Sequence, residues 1–498
     1  MPLSSPSVSW SADLHALAQR HGERIAVRGV AANLSYAALS ARAHALAARL
    51  DELGVATGDS VAWSLPNGPD AVWAGYGITL QGAAETPLSP NLTSDEVAWI
   101  AGLAGTRWVV TTSARRGFFA ALGLGVVAVE DIGLGGPSPR PPVPAEAHGK
   151  FIATSGTTGK PKAIVYSHGK RVIGHELLKS VLPFVPHSGE AILLMTPYTH
   201  GASALGHAWL DHGAEVVLLD GIHRAQVEPV LRAGVAAVFA PPTVINKLAE
   251  FFPQERFTGV RCVFTGTQTL TEAAYRRAER MFGPVVRVTY GKSECTNPIT
   301  VLPPADTAAH YENEARPEGA CLGWPADGVE LEIRDGEIWL RARQLADAWI
   351  DAAGSHGFEG GWHATGDLGW IDERGRLWLS GRLADVIKTG GYKVQPEEIE
   401  AVLAGLPGCG QIVLAALPSD YWGEVIVAAT EQASTGWRAQ AEARVESLSK
   451  HKRPRAYLEL PALPRNPQGK ISRREVRAAI LERYRLVDGP HPRLESKG

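Results

Sequence analysis

Four cysteines are scattered along the chain, at Cys262, Cys295, Cys321 and Cys409, and none belongs to a CxxC pair. Without such spacing neither a disulfide framework nor a structural zinc site is expected, and a reducing cytoplasm fits best. Charge of one sign is equally scarce. A formal net charge of −3 leaves no basis for a nucleic-acid or acidic-polymer partner. No apolar run approaches the roughly 20 residues needed to cross a bilayer, so no membrane span is expected. The opening MPLSSPSVSWSADLHAL lacks a basic patch followed by an unbroken apolar stretch, which speaks against a signal peptide.

What is present describes a soluble, folded chain. Apolar residues make up 45% and charged residues 20%, the balance of an ordinary globular protein, and 498 residues call for two or three globular units. Ser35 is placed to cap a helix running through Leu53, with Gly54 just past its end. Short apolar runs at 61–65, 108–111, 192–195, 215–219, 236–239, 261–264 and 285–288 read as strands lying between helical segments. That alternation predicts an α/β fold with a largely parallel sheet. The proline- and glycine-rich stretch 135–144 reads as a surface connection. Beyond Leu379 the chain turns dense in glycine and charge, and a compact α/β stretch runs to about Tyr484. A domain boundary is expected near Asp385, and the polar tail from Val487 is expected to be disordered.

Residues 154–162 read TSGTTGKPK, directly after Phe151-Ile152-Ala153. Glycines let successive backbone N–H groups turn toward one anion, hydroxyls add donors and lysine adds charge. Thr154, Ser155, Gly156, Thr157, Thr158, Gly159 and Lys162 are therefore candidate phosphate-binding residues. The GxxxxGK[ST] spacing of a Walker A loop is absent. Gly123, Gly125 and Ala128 fit G-x-G-x-x-A, but Glu130-Asp131-Ile132-Gly133 follows where a dinucleotide site needs a helix N-terminus.

The 154–162 string resembles the phosphate loop of the acyl-adenylate-forming superfamily of acyl- and aryl-CoA ligases, luciferases and peptide-synthetase adenylation domains. Further segments resemble that family in order along the chain. In Thr289-Tyr290-Gly291-Lys292-Ser293-Glu294 the resemblance implies that Tyr290 stacks on adenine, Ser293 reaches phosphate and Glu294 holds Mg²⁺; a flat ring suits a purine face and a hard carboxylate suits Mg²⁺. Val288 stands where many relatives carry an adenine-contacting asparagine, so base recognition is expected at Gly266, Thr267 and Gln268, beside Thr289 and Gly291. Asp367, in Thr365-Gly366-Asp367, would accept from both ribose hydroxyls, which a carboxylate's two oxygens allow. In Gly381-Arg382-Leu383-Ala384-Asp385, Arg382 would bind ribose or phosphate and Asp385 would be the hinge.

The same resemblance places the pantetheine tunnel at Gly390 and Gly391, with Trp422 able to touch the nucleotide of coenzyme A. It makes Lys470, in the segment 464–471, the catalytic lysine. It gives His200, in Thr196-Pro197-Tyr198-Thr199-His200-Gly201, the role of closing over the carboxylate. Tyr198, Gly201, Ala202, Val244, Thr265, Thr296 and Asn297 would line the acyl pocket. That lining is mixed and modestly polar, more suited to an aryl or arylalkyl acid than to a long alkyl chain. Residues 199–203 lack the aspartate that amino-acid-activating relatives place near here.

The architecture implied is a large N-terminal multi-subdomain α/β region over 1–384 and a small mobile C-terminal α/β domain over 386–498. The activity implied is ATP-dependent ligation of a small carboxylic acid to coenzyme A with Mg²⁺. The alternatives are a stand-alone adenylating enzyme that loads a carrier protein, one that passes its activated group to an amine, and a silent binding protein of the same fold.

Overall fold

The computed structural model describes residues 7–136, 140–154, 161–199, 201–266, 268–313, 319–465 and 469–497, except the side chains of Asn297 and Lys393. The chain divides into two compact units. The first comprises Met1–Glu314, Leu322–Leu331 and Leu340–His363; the second comprises Ala315–Cys321, Glu332–Trp339 and Ala364–Gly498. The division falls N-terminal to Asp385, so Ala364 to Ala384 group with the C-terminal residues.

The first unit is built on two sheets. One orders strands Cys295–Leu302, Val286–Lys292, Cys262–Thr265, Ala237–Phe239, Ala191–Leu194, Glu215–Leu218, Ile25–Arg28 and Asn33–Ser35 side by side. From Val286–Lys292 to Ile25–Arg28 every neighbouring pair is parallel. Ile192, Leu193, Leu194, Val238 and Val263 are wholly buried, as expected of strands covered on both faces, and this is why they read as continuous apolar runs. The expected helix runs Tyr36–Glu52, and the Ser35 hydroxyl accepts from the Ala38 N–H at 3.2 Å. Gly125–Ala128 is itself a strand, which removes the dinucleotide motif.

The second sheet of this unit orders Gly354–His356, Ala348–Asp351, Lys162–Ser167, His148–Thr154, Ala84–Pro87, Ser60–Ser64, Trp108–Thr111 and Gly125–Ala128. His148–Thr154 and Lys162–Ser167 are antiparallel, with Thr154 opposite Lys162. At its centre is a buried carboxylate, Glu85, paired with Lys150 at 2.8 Å and Arg171 at 3.0 Å. Burial alone would push the Glu85 carboxyl up; the two cations outweigh it and hold it at about 2.

In the second unit, Ile412–Ser419 and Gly423–Thr430 form an antiparallel pair, with Ile387–Thr389 and Ala456–Glu459 beside Gly423–Thr430. Side chains alternate between two cores, as the strand period demands. Leu414, Ile426 and Ala428 pack with Ile399, Leu403 and Trp437, whereas Val413, Leu417 and Val427 pack with Val476 and Ile480. The tail departs from expectation. Tyr484–Val487 and Arg493–Ser496 pair as an antiparallel hairpin, because Leu486 and Leu494 pack against the Val476 and Ile480 core. The 135–144 connection is likewise anchored where it is described, by Arg140 on Asp51 and by buried Val143.

Glu85→Ala strands two cations in the interior and is expected to cost about 3–5 kcal/mol in chemical denaturation. The folded carboxyl lies below its ordinary value, so its contribution is present at neutral pH and is lost as pH falls through about 2. The difference between wild type and variant should therefore shrink in strong acid.

Candidate active site

In an open parallel sheet, ligands gather where the strands end at their carboxyl edge. Tyr198 follows Ala191–Leu194, Val244 lies in the helix Pro242–Phe251 after Ala237–Phe239, and Gly266 and Gln268 follow Cys262–Thr265. Thr289 to Gly291 close Val286–Lys292. The sheet thus collects at one edge residues that are far apart in sequence. Gly266 is needed for this approach, since a Cβ there would lie 2.5 Å from the Thr289 carbonyl oxygen. The Gln268 N–H donates to the Gly266 carbonyl at 2.7 Å, and the Thr289 hydroxyl donates to the Thr265 carbonyl at 3.3 Å. Tyr290 is buried, and the Thr265 hydroxyl is buried with no hydrogen-bond partner among the described residues. Thr267 lies outside the described residues.

The antiparallel pair His148–Thr154 and Lys162–Ser167 brings the two ends of the phosphate-loop motif together. The Thr154 hydroxyl is buried and has no hydrogen-bond partner among the described residues. The Lys162 ammonium sits 2.7 Å from Glu294 Oε1 and 5.1 Å from the centre of the Trp349 ring. Burial pushes the Glu294 carboxyl up, but Lys162, Lys292 and His363 overcome it, so the group titrates below its ordinary value and is ionised. The Tyr166 hydroxyl donates to the Ser293 carbonyl at 2.8 Å and steadies that segment. Ser155, Gly156, Thr157, Thr158 and Gly159 lie outside the described residues.

Among the described residues no three His, Cys, Asp or Glu side chains group to hold a metal. Mg²⁺ keeps water and phosphate ligands and takes one or two protein carboxylates rather than a protein cage. Glu294 fits that part, being an ionised carboxylate beside the phosphate-loop lysine.

Not every expected acyl-pocket residue points one way. The Tyr198 ring is buried against His207, 6.0 Å between centroids, and Gly206 leaves room for its hydroxyl. Ala202 and Val244 are buried and Gly201 is exposed at the start of its helix. Thr296 packs on Gly174 of the helix His168–Ser180, where a Cβ would come within 2.6 Å. His200 and the Asn297 side chain lie outside the described residues.

In the second unit Asp367 is buried and faces Arg382 across a strand pair, 3.5 Å from its Nε. Asp385 is held at 3.0 Å by Arg473. Gly390 and Gly391 form the two-residue turn between Thr389 and Tyr392, with φ of +57° and +85°, values that such a hairpin requires and glycine supplies. Gly390 donates to the Trp422 carbonyl at 2.8 Å. Lys470 follows Gly469, whose φ is +77°; residues 466–468 lie outside the described ones.

A family model described as AMP-binding enzyme matches residues 14–347. The chain belongs to the AMP-binding enzyme family. It is 26% identical to the long-chain-fatty-acid–CoA ligase FadD13 of Mycobacterium tuberculosis, covering 91% of this chain and 93% of that one. To the 4-chlorobenzoate–CoA ligase of Arthrobacter it is 26% identical, covering 92% of each. A fatty acid–[acyl-carrier-protein] ligase, ScoC of Streptomyces coeruleorubidus, is 27% identical over 89% of this chain and 91% of its own. Among solved structures, o-succinylbenzoate CoA synthetase from Bacillus subtilis with its acyl-adenylate superimposes with a TM-score of 0.82 at 23% identity, covering 94% of this chain and 98% of that one.

Some residues of this AMP-binding enzyme were missed by the sequence reading. Asn67 accepts from the Tyr198 N–H at 2.9 Å and donates to the Thr196 and Leu219 carbonyls, clamping the segment before His200. Trp99 donates to the Pro161 carbonyl at 2.8 Å, where the phosphate-loop motif ends. Trp349 backs Lys162. The turn residues Pro66-Asn67-Gly68-Pro69 are the one local signal that could have pointed to any of them.

Gly174→Ala overpacks the Thr296 wall and is expected to cost about 1–3 kcal/mol. Combining it with Thr296→Ala should recover more than about 0.5 kcal/mol beyond additivity, measured as a double-mutant cycle in denaturant.

Proposed function

We propose that this enzyme is an AMP-forming acid–CoA ligase. The contact between Lys162 and Glu294, which joins the end of the phosphate-loop motif to the carboxyl edge of the parallel sheet, carries this reading. A cation and an ionised carboxylate side by side suit a triphosphate and its magnesium ion.

In the first step a substrate carboxylate oxygen bonds to the α-phosphorus of ATP, and the bond from that phosphorus to the bridging oxygen breaks, releasing pyrophosphate. Positioning and charge neutralisation do the catalytic work. Lys162 and the donors of 154–159 hold the phosphates, with Ser293 beside them. Glu294 would hold Mg²⁺, which would supply positive charge to the phosphates. Tyr290 and Gly266 to Gln268 take the adenine, while Asp367 and Arg382 take the ribose. Lys470 neutralises charge growing between carboxylate and α-phosphate, and His200 closes over the carboxylate. In the second step the sulfur of coenzyme A bonds to the acyl carbon, the mixed anhydride opens, AMP leaves and the thiol proton passes to water. Asp385 is assigned the torsional change that withdraws Lys470 between the steps and lets the Gly390-Gly391 turn line the thiol's path.

The acid assigned is aryl or arylalkyl. Small Gly201 and Ala202, Val244 and the hydroxyls of Thr265 and Thr296 would give a mixed, modestly polar lining, more suited to such an acid than to a long alkyl chain. A carrier-protein thiol is the second acceptor considered, favoured by the likeness to ScoC. The free thiols of the four cysteines fit a reducing cytoplasm.

Pyrophosphate release with ATP and a panel of aryl, arylalkyl and alkyl acids tests the reading; failure with every acid overturns it. Lys470→Ala should lower adenylate formation by about 10²–10³ or more while sparing thioester formation from a supplied acyl-adenylate. Asp385→Pro should slow AMP release more than the pyrophosphate burst in rapid-quench measurements. Supplying coenzyme A alone or a phosphopantetheinyl carrier distinguishes the acceptors.

A further inference from the structure

The C-terminal hairpin grips one turn of the second unit through Asp488 and Gly489. Ile412–Ser419 and Gly423–Thr430 are joined by residues 420–422, and Trp422 lies at the end of that turn. Asp488 sits between the paired strands Tyr484–Val487 and Arg493–Ser496. Its carboxylate accepts from the Ser419 hydroxyl at 2.6 Å and from the N–H groups of Asp420 and Tyr421 at 2.6 and 3.1 Å. Ser419 Oγ in turn accepts from the Trp422 N–H at 2.8 Å, and the Gly489 carbonyl accepts from the Trp422 indole at 3.0 Å. From the other side the Gly390 N–H holds the Trp422 carbonyl.

The indole so fixed carries a cation. The Arg455 guanidinium lies 3.5 Å from its ring centroid, and among the described residues no carboxylate pairs with Arg455. An aromatic face with an unneutralised guanidinium stacked on it suits a nucleotide carrying phosphate. Hydrogen bonds from backbone N–H groups to an ionised carboxylate are short and strong, so Asp488 is well suited to hold this turn still although it is exposed.

We propose that Asp488 is a positioning residue for the acyl acceptor: through the 419–422 turn it holds Trp422 and Arg455 as the platform for the nucleotide end of coenzyme A. The proposal rests on the acid–CoA ligase reading. It assigns the tail a part in the second half-reaction and none in the first.

The test uses the full chain and its Asp488→Ala and Asp488→Asn variants. ATP–pyrophosphate exchange reports the first half-reaction, and thioester formation is followed with coenzyme A or pantetheine varied. Asp488→Ala should raise the KM for coenzyme A about tenfold, leaving kcat and exchange within about twofold. Asp488→Asn, which keeps one acceptor oxygen, should fall between. The KM for pantetheine, which lacks the nucleotide, should not move. An unchanged KM for coenzyme A, an equal rise with pantetheine, or a parallel loss of exchange would each overturn the proposal. A wild-type chain that exchanges pyrophosphate but acylates no coenzyme A overturns the acceptor reading and this inference with it, whereas absence of exchange with any acid overturns the ligase reading itself.

Discussion

The first unit depends on one buried charge. Glu85 draws Lys150 and Arg171 onto one carboxylate, and the indole of Trp63 also donates to it. Lys150 belongs to His148–Thr154, the strand that delivers the phosphate-loop motif, and Arg171 to the helix His168–Ser180, whose Gly174 supports Thr296. A buried ion pair is costly to desolvate and repays that only with good geometry. Here the return is direction: strand, helix and sheet cannot slide past one another without exposing a charge to an apolar interior.

The second constraint is topological. Parallel strands put their carboxyl ends on the same side, so segments remote in sequence become neighbours without any one of them carrying an unusual signal. Glu294 comes to its meeting with Lys162 in this way, whereas Lys162 comes from the antiparallel pair. The chain reaches that meeting from two sheets, one contributing an antiparallel pair and the other the end of a parallel strand, and Trp349 from a later strand completes the surroundings of the lysine.

This division explains what could be read in advance. Local features were legible: the Ser35 cap and the apolar strands. Each is decided within a few residues of itself. Asn67, Trp99 and Gly174 act across large sequence separations, and nothing in their neighbourhoods says what they will touch. The tail misled for the opposite reason. The polar stretch after Val487 looks solvated, yet Leu486 and Leu494 find an apolar face prepared by Val476 and Ile480, and two well-spaced apolar residues were enough to order it. Tyr198 shows a finer limit, because its motif does not say that the ring packs against His207.

The ion pair between Lys162 and Glu294 has a thermodynamic consequence. One ammonium cannot fully serve both a carboxylate and an arriving polyphosphate. If the lysine turns to the nucleotide, it leaves a bare anion beside a polyanion; if it stays, the nucleotide forfeits a counter-ion. On the roles proposed for Lys162 and Glu294, affinity for the triphosphate and affinity for a divalent cation would be reciprocally linked, each strengthening the other by the same factor.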